Sequence, residues 1–386
     1  MADAFLPFHT PEIGDEELSA VAETLRSGWI TAGPRVAEFE SAFAGYVGAP
    51  HAIAVNSGTA ALHLALEAVG VSEGDEVIVP TLTFAASAEV VLYLGGRPVL
   101  VDCQPETFNI DPSGIERAVT TRTKAIMPVH FAGRPCEMNW IRGVASPRRL
   151  KIVEDAAHAL PSRYRDAMVG TIGEVTAFSF YATKTITTGE GGMATTGDPE
   201  LAERMRLMRL HGLSKDAWKR YEAEGSWSYE ILAPGYKYNM TDIQAAIGLV
   251  QLKRCDAFWR RRCRIAEAYL SGFKGCDVVE VPDAQLDGWH AWHLYVIRLN
   301  LDRLVIDRRR FVAELKARGI GVSVHFMPLH LHPYYRQRYG YRSGDFPIAE
   351  RFYIRCISLP IYPKMTDADI RRVIDAVRDV ARKFRR

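Results

Sequence analysis

Val175-Thr176-Ala177-Phe178-Ser179-Phe180-Tyr181-Ala182-Thr183-Lys184 decides how the rest of this chain reads. The run 175–181 is β-branched and aromatic enough for a buried strand. Lys184 then falls just beyond the carboxyl end of that strand, the edge at which open α/β sheets hold their ligands. A lysine kept only for solubility would not need that setting. Gly189-Glu190-Gly191-Gly192 follows directly, and Glu154-Asp155-Ala156-Ala157-His158 lies upstream.

Outward from this stretch, short apolar runs alternate with helical or loop segments between about residues 50 and 200. That alternation predicts an α/β fold with a mostly parallel sheet and helices on both faces. Strands are expected at 51–55, 76–79, 97–101, 124–129, 150–153, 175–181 and 192–195, with a helix at 60–68. After Thr241, Ile243, Ala246, Ile247 and Val250 fall at helical spacing, so a long amphipathic helix leads away. A smaller α+β part should follow, with strands at 292–299 and 322–326 and a helix at 308–318. A last helix should open at Thr366, with Asp369 three residues on as a capping partner.

A chain of 386 residues is long enough for two domains sharing a cleft. The expected division is 1–245 for a large domain and 246–386 for a small one, with the N-terminal segment packing on the small domain. Forty-eight basic against 46 acidic residues give a formal charge of +2, so there is no broad field for nucleic acid or an anionic membrane. The runs Arg260-Arg261-Arg262 and Lys383-Phe384-Arg385-Arg386 read as solvated helix surface. No apolar run approaches the roughly 18 residues of a span, and Met1-Ala2-Asp3-Ala4-Phe5 has no basic leader, so a cytoplasmic protein is expected. Six cysteines without a Cys-x-x-Cys pair read as reduced packing residues.

Three segments carry chemistry. Asn56-Ser57-Gly58-Thr59 sits between an expected strand and an expected helix, where backbone N–H groups and hydroxyls would hold a phosphate or simply cap the helix. It contains neither a dinucleotide fingerprint nor a P-loop. Asp155 should emerge at the end of an apolar strand, and a carboxylate buried there needs a cation. A protonated pyridine nitrogen would serve, and that pairing makes pyridoxal phosphate an electron sink; an Asp bonded to backbone is the plainer alternative. Lys184 would capture the cofactor aldehyde, with Ser179, Thr183 and Thr185 supplementing phosphate binding. Phe84 would lie on the pyridine ring or belong to the core.

Asn56 to His63, Glu154 to His158, Ser179 to Lys184 with Gly189 to Met193, and Gly235-Tyr236-Lys237-Tyr238-Asn239-Met240-Thr241-Asp242 together resemble the DegT/DnrJ/EryC1/StrS family of nucleotide-sugar aminotransferases. The likeness runs from Gly28-Trp29-Ile30-Thr31-Ala32-Gly33-Pro34 to Ser358-Leu359-Pro360.

The resemblance implies fold type I of the pyridoxal-phosphate enzymes and a homodimer with active sites shared between subunits. By position, Lys184 matches the lysine that holds the cofactor, Asp155 the pyridine-nitrogen partner, and His158 the neighbour of the ring oxygen. Ser57, Gly58, Thr59 and Ser179 match phosphate contacts, Phe84 the stacking aromatic, and Asn239 a residue reaching the phosphate from the partner subunit. Many relatives carry Asn at the position of Lys237 and Arg at that of Asn239, so either residue is left as the cross-subunit contact. Thr31, Lys237 and His325 are the substrate candidates. His325, His330 and His332 match no common zinc spacing, and no metal is expected. Trp289 and Trp292 are expected in the small-domain core.

The implied reaction passes an amino group from glutamate to a keto sugar on UDP or dTDP, with pyridoxamine phosphate as the carrier form and 2-oxoglutarate as by-product. C4 of a 4-keto-6-deoxyhexose is the expected position. A C3-specific enzyme is the alternative, as is a sugar dehydratase of the same fold, although dehydratase relatives carry histidine where Lys184 stands.

Overall fold

The computed structural model describes residues 5–214, 229–283 and 288–386. Side chains alternate across each strand with the two-residue repeat of extended backbone. In β1 (His51–Val55), Ile53 and Val55 join one helical layer, while Ala52 and Ala54 join the layer on the opposite face. The following strands are β2 (Glu76–Pro80), β3 (Arg97–Val101), β4 (Thr123–Ile126), β5 (Lys151–Asp155), β6 (Arg163–Tyr164), β7 (Ala167–Met168), β8 (Val175–Ser179) and β9 (Gly192–Thr196).

Seven of these form one sheet in the order β1-β9-β8-β5-β4-β2-β3. Within it β9 alone runs against its neighbours, so six strands deliver their carboxyl ends to one edge. Helices Gly58–Ala68, Ala86–Tyr93 and Pro199–Met208 pack on one face. The other face is covered by Pro34–Val47 and the start of Asp242–Gly272 near β1, and by Pro112–Ala118 and Met138–Ala145 near β4. Phe178 and Phe180 are buried against Phe43 at centroid distances of 5.1 and 5.5 Å. Each such ring contributes about 1.5–3 kcal/mol on burial, which fixes the outlet of β8.

The 31-residue helix Asp242–Gly272 opens with a capping box between Thr241 and Gln244. Ala245, Leu249 and Leu252 lie in the core of the main sheet, whereas Ile265, Ala266 and Tyr269 lie in a second core. That second core surrounds β10 (Val279–Glu280), β12 (Tyr295–Leu299) and β13 (Cys356–Leu359), an antiparallel sheet in the order β10-β12-β13. The short β11 (Gly288–Trp289) pairs with β6 instead. The last helix, Asp367–Lys383, is capped by Thr366 and Asp369 and buries Ile370, Val373 and Val377. Leu6 exchanges backbone hydrogen bonds with Gly319 and Gly321 and packs in the second core.

Four expectations need correction. Residues 322–326 form no strand: Ser323 and Ser358 make a single bridge, and Pro328 soon removes a backbone donor. The strand expected from Trp292 starts at Tyr295, because Trp292 adopts a left-handed φ of +51°. Arg262 is not solvated surface but fully buried, and Trp289 is no core residue, being 43% exposed and stacked on Trp259. Trp292 does pack in the second core.

Candidate active site

The carboxyl edge of the sheet gathers the predicted groups. β1 ends one residue before Asn56, and Ser57 Oγ accepts a hydrogen bond from the N–H of Ala60 at the start of helix Gly58–Ala68. The N–H groups of Gly58 and Thr59, at the open end of the helix, have no acceptor within it. A Cβ on Gly58 would meet the Cβ of Ser179 at 2.8 Å, and one on Gly192 would meet the carbonyl oxygen of Ser57 at 2.4 Å. The helix cap is therefore present, and the open N–H groups beside it, with Ser179 at the end of β8 as a close neighbour, leave room for an anion cradle. Of the two supplementary threonines, Thr185 is buried and Thr183 half-buried.

Asp155 ends β5 and is buried. Its Oδ2 accepts a 2.7 Å hydrogen bond from Ser87 Oγ, and its Oδ1 accepts one from the N–H of Ala157 at 3.1 Å. Because Asp155 takes the Ser87 proton, Thr83 Oγ1, 2.7 Å from Ser87 Oγ, must donate to it. Sequence reasoning missed Thr83 and Ser87; their four-residue spacing at the start of helix Ala86–Tyr93 was the available signal. Among the described residues Asp155 has no ion-pair partner within 4.0 Å, which leaves a buried carboxylate short of a cation.

Lys184 follows β8 in a turn closed by its own N–H to the carbonyl of Tyr181 at 2.9 Å. Burial pulls its ammonium down to about 8, against the opposing pull of the Asp155 carboxylate. At pH 7.5 such an amine is about one-quarter neutral, compared with about one part in a thousand at the ordinary value. His158, His293 and His325 all feel the Lys184 charge, and burial is the larger cause that keeps each uncharged. His325 is paired with Ser358 Oγ at 2.8 Å, while His330 is held between Thr81 and Glu350.

Phe84 is 62% exposed on the loop after β2, with its ring 6.0 Å from that of Phe326, so the core alternative for it is excluded. Thr31 is exposed, and its carbonyl accepts the N–H of Asp242 at 3.0 Å. Asn239 pairs its backbone with Val55, and its Oδ1 accepts from Lys237 Nζ at 2.7 Å. The geometry thus brings Ser57, Gly58, Thr59, Asp155, Ser179 and Lys184 to one edge, with the His158 and His325 rings beside Lys184.

Residues 11–378 match the family described as the DegT/DnrJ/EryC1/StrS aminotransferase family. The chain belongs to that family. Spore coat polysaccharide biosynthesis protein SpsC of Bacillus subtilis is 51% identical over 379 residues, 98% of this chain and 97% of that protein. Among solved structures, Spr1654 of Streptococcus pneumoniae in its PMP-form superposes with a TM-score of 0.92 at 36% identity, covering 98% of each chain. Helicobacter pylori PseC, an aminotransferase involved in the biosynthesis of pseudoaminic acid, gives a TM-score of 0.92 at 30% identity over 99% of this chain and all of that one. This family member is accordingly an aminotransferase of fold type I that depends on pyridoxal phosphate.

Its residues fit that cofactor. The glycine-lined cradle suits a phosphate, the carboxylate without a counter-ion suits a protonated ring nitrogen, and the partly neutral amine suits an aldehyde.

Proposed function

We propose that this aminotransferase moves an amino group from glutamate to a keto sugar carried on UDP or dTDP, at C4 of a 4-keto-6-deoxyhexose. One observation carries the reading: a buried carboxylate lacking an ion pair and a lysine amine with a lowered pKa serve one strand edge beside a phosphate-sized cradle. The sugar reading is supported by the polysaccharide role in the name of SpsC and the pseudoaminic acid role of PseC.

In this reading Ser57, Gly58, Thr59 and Ser179 hold the phosphate, Asp155 keeps the ring nitrogen protonated, and Phe84 covers the ring. His158 faces the ring oxygen. Bound there, pyridoxal phosphate supplies an aldehyde for amine capture and a ring that takes up the electron pair of a broken C–H bond. Lys184 anchors the cofactor and, once displaced by an incoming amine, uses its Nζ to carry the proton from the donor carbon and later to return one to the sugar carbon. Burial keeps enough of that amine neutral to accept the proton near pH 7.5. Thr31, Lys237 and His325 line the substrate side.

The protein would act as a homodimer in the cytoplasm, with Asn239 or Lys237 of one subunit reaching the phosphate site of the other. Exposed apolar side chains at Phe84, Tyr181, Ile231 and Leu232 support a covered face. Its six cysteines form no disulfide, as a reducing compartment favours, and no described helix is long and apolar enough to cross a membrane. The proposed division is a large cofactor domain at 1–245 and a small domain at 246–386, joined by helix Asp242–Gly272.

The decisive test offers a panel of UDP- and dTDP-keto sugars with glutamate and detects amino-sugar product by mass. Amination of a 4-keto sugar is expected. Reaction of amino-acid pairs alone would reject the nucleotide-sugar assignment, and amination of 3-keto sugars alone would reject the position.

A further inference from the structure

We propose that Arg262 is a positioning residue for His158: it clamps the segment 290–294, which holds the turn at Ala132 and Gly133, so that His158 presents an Nε2–H to the cofactor's ring oxygen. The last step rests on the reading that His158 faces that oxygen.

The buried His158 ring lies 4.4 Å from that of His293 and 6.0 Å, at 19°, from that of Phe326, so neighbouring rings restrict its turning. Burial, with Lys184 and His325 adding to it, holds its pKa well below the ordinary histidine value, and the ring is neutral. The N–H of Ala132 donates to His158 Nδ1 at 3.3 Å. A neutral imidazole whose Nδ1 accepts carries its proton on Nε2 and is a donor there.

That donor geometry needs an unusual turn. Ala132 has φ +58° and Gly133 φ +98°, and the first value is one that alanine rarely adopts unaided. Three bonds hold the turn: Leu294 N–H to the Ala132 carbonyl at 3.2 Å, and Ala291 N–H and Ser162 Oγ to the Gly133 carbonyl at 3.0 and 2.7 Å. Contact is close enough that a Cβ on Gly133 would meet Ala291 Cβ at 2.8 Å and the His158 carbonyl oxygen at 2.9 Å.

Segment 290–294 is in turn held by Arg262. Its Nη1 lies 3.2, 3.3 and 2.7 Å from the carbonyl oxygens of Trp292, His293 and Ile361. The side chain is fully buried, and among the described residues no carboxylate lies within ion-pair distance of it. Burial pulls its pKa down to about 10, so it stays charged at neutral pH and its bonds to the carbonyls are charge-assisted. A guanidinium buried without a counter-ion is costly, and the strap it fastens accounts for its presence.

The test compares cofactor-free wild-type protein, Arg262→Met and Ser162→Ala by long-range ¹H–¹⁵N correlation of the histidine rings, then titrates the visible absorption band of the reconstituted proteins. Wild type should show His158 solely as the Nε2–H form. Both variants should show mixed forms, and the midpoint of the visible band should rise by about half to one pH unit, since a lost donor no longer stabilises charge on the ring oxygen. A wild-type ring protonated on Nδ1 overturns the proposal, as does a folded Arg262→Met protein with an unchanged ring and band. Should Arg262→Met fail to fold, Arg262→Lys takes its place, a mixed ring supporting the clamp and an unchanged one rejecting it. A changed ring with an unmoved band keeps the clamp and rejects the placement of His158 at the ring oxygen.

Discussion

Ser87 Oγ donates a 2.7 Å hydrogen bond to Asp155 Oδ2. The carboxylate proposed to hold the ring nitrogen is therefore aimed by a side chain from the helix after β2, across the sheet from its own strand. Replacing Ser87 with Ala removes one bond to a charged acceptor, worth about 1.5–3 kcal/mol. Activity should fall about tenfold or more while the fold survives. Steady-state kinetics beside circular dichroism checks this, and an unaltered kcat/KM would show that Asp155 needs no such support.

The lowered pKa of Lys184 predicts how the cofactor-free protein takes up pyridoxal phosphate. The reactive form is the neutral amine, which grows as pH rises toward about 8 and levels off above it. The rate of appearance of the visible band should therefore rise through that value and plateau, whereas an ordinary lysine would keep accelerating past pH 10. Lys184→Ala should give no protein-bound imine band at any pH.

Gly192 faces the Ser57 carbonyl, whose oxygen and carbon would lie 2.4 and 2.5 Å from a methyl group there and belong to backbone that cannot swing aside. Gly192→Ala should cost about 1–3 kcal/mol of stability through overpacking. Since the displaced strand is the one that feeds the cradle, cofactor affinity should fall as well. Thermal melting and equilibrium dialysis test the two effects, and a variant that melts as wild type would mean that the cradle yields.

Asn239 sits on a backbone bridge to Val55 of its own chain, yet it is proposed to serve the partner's phosphate. Mixing Lys184→Ala chains with Asn239→Ala chains separates the two arrangements. Sharing across subunits predicts recovery of about a quarter of wild-type activity in a statistical mixture, because half the dimers carry one intact site. Service within one chain predicts no recovery. The same pairing with Lys237→Ala shows which residue makes the contact.

Much of this was legible in the chain. The β-branched run from Val175, the apolar run leading to Asp155 and the Thr366–Asp369 capping pair signal their own structure, because burial pattern and end-capping act within a few residues, although the strand expected to reach Tyr181 ends at Ser179. From the same local signals came the capped helix start at Ser57 to Thr59 and the placing of Lys184 beyond a strand. Segment 322–326 misled because it has strand-like residues but only one bridge to β13. Arg262 misled for the opposite reason: its position in a basic run looked exposed, while the helix periodicity turned it inward.

The sequence by itself determined which residues end the strands of the sheet and hence which functional groups meet at its edge, since strand and helix periodicity are written in neighbours a few positions apart. Only the tertiary structure decided what supports those groups: Ser87 under Asp155, Ala132 on His158 and Arg262 on the 290–294 strap. These are contacts between segments distant in the chain, whose directions depend on how the layers pack, and no local pattern encodes them.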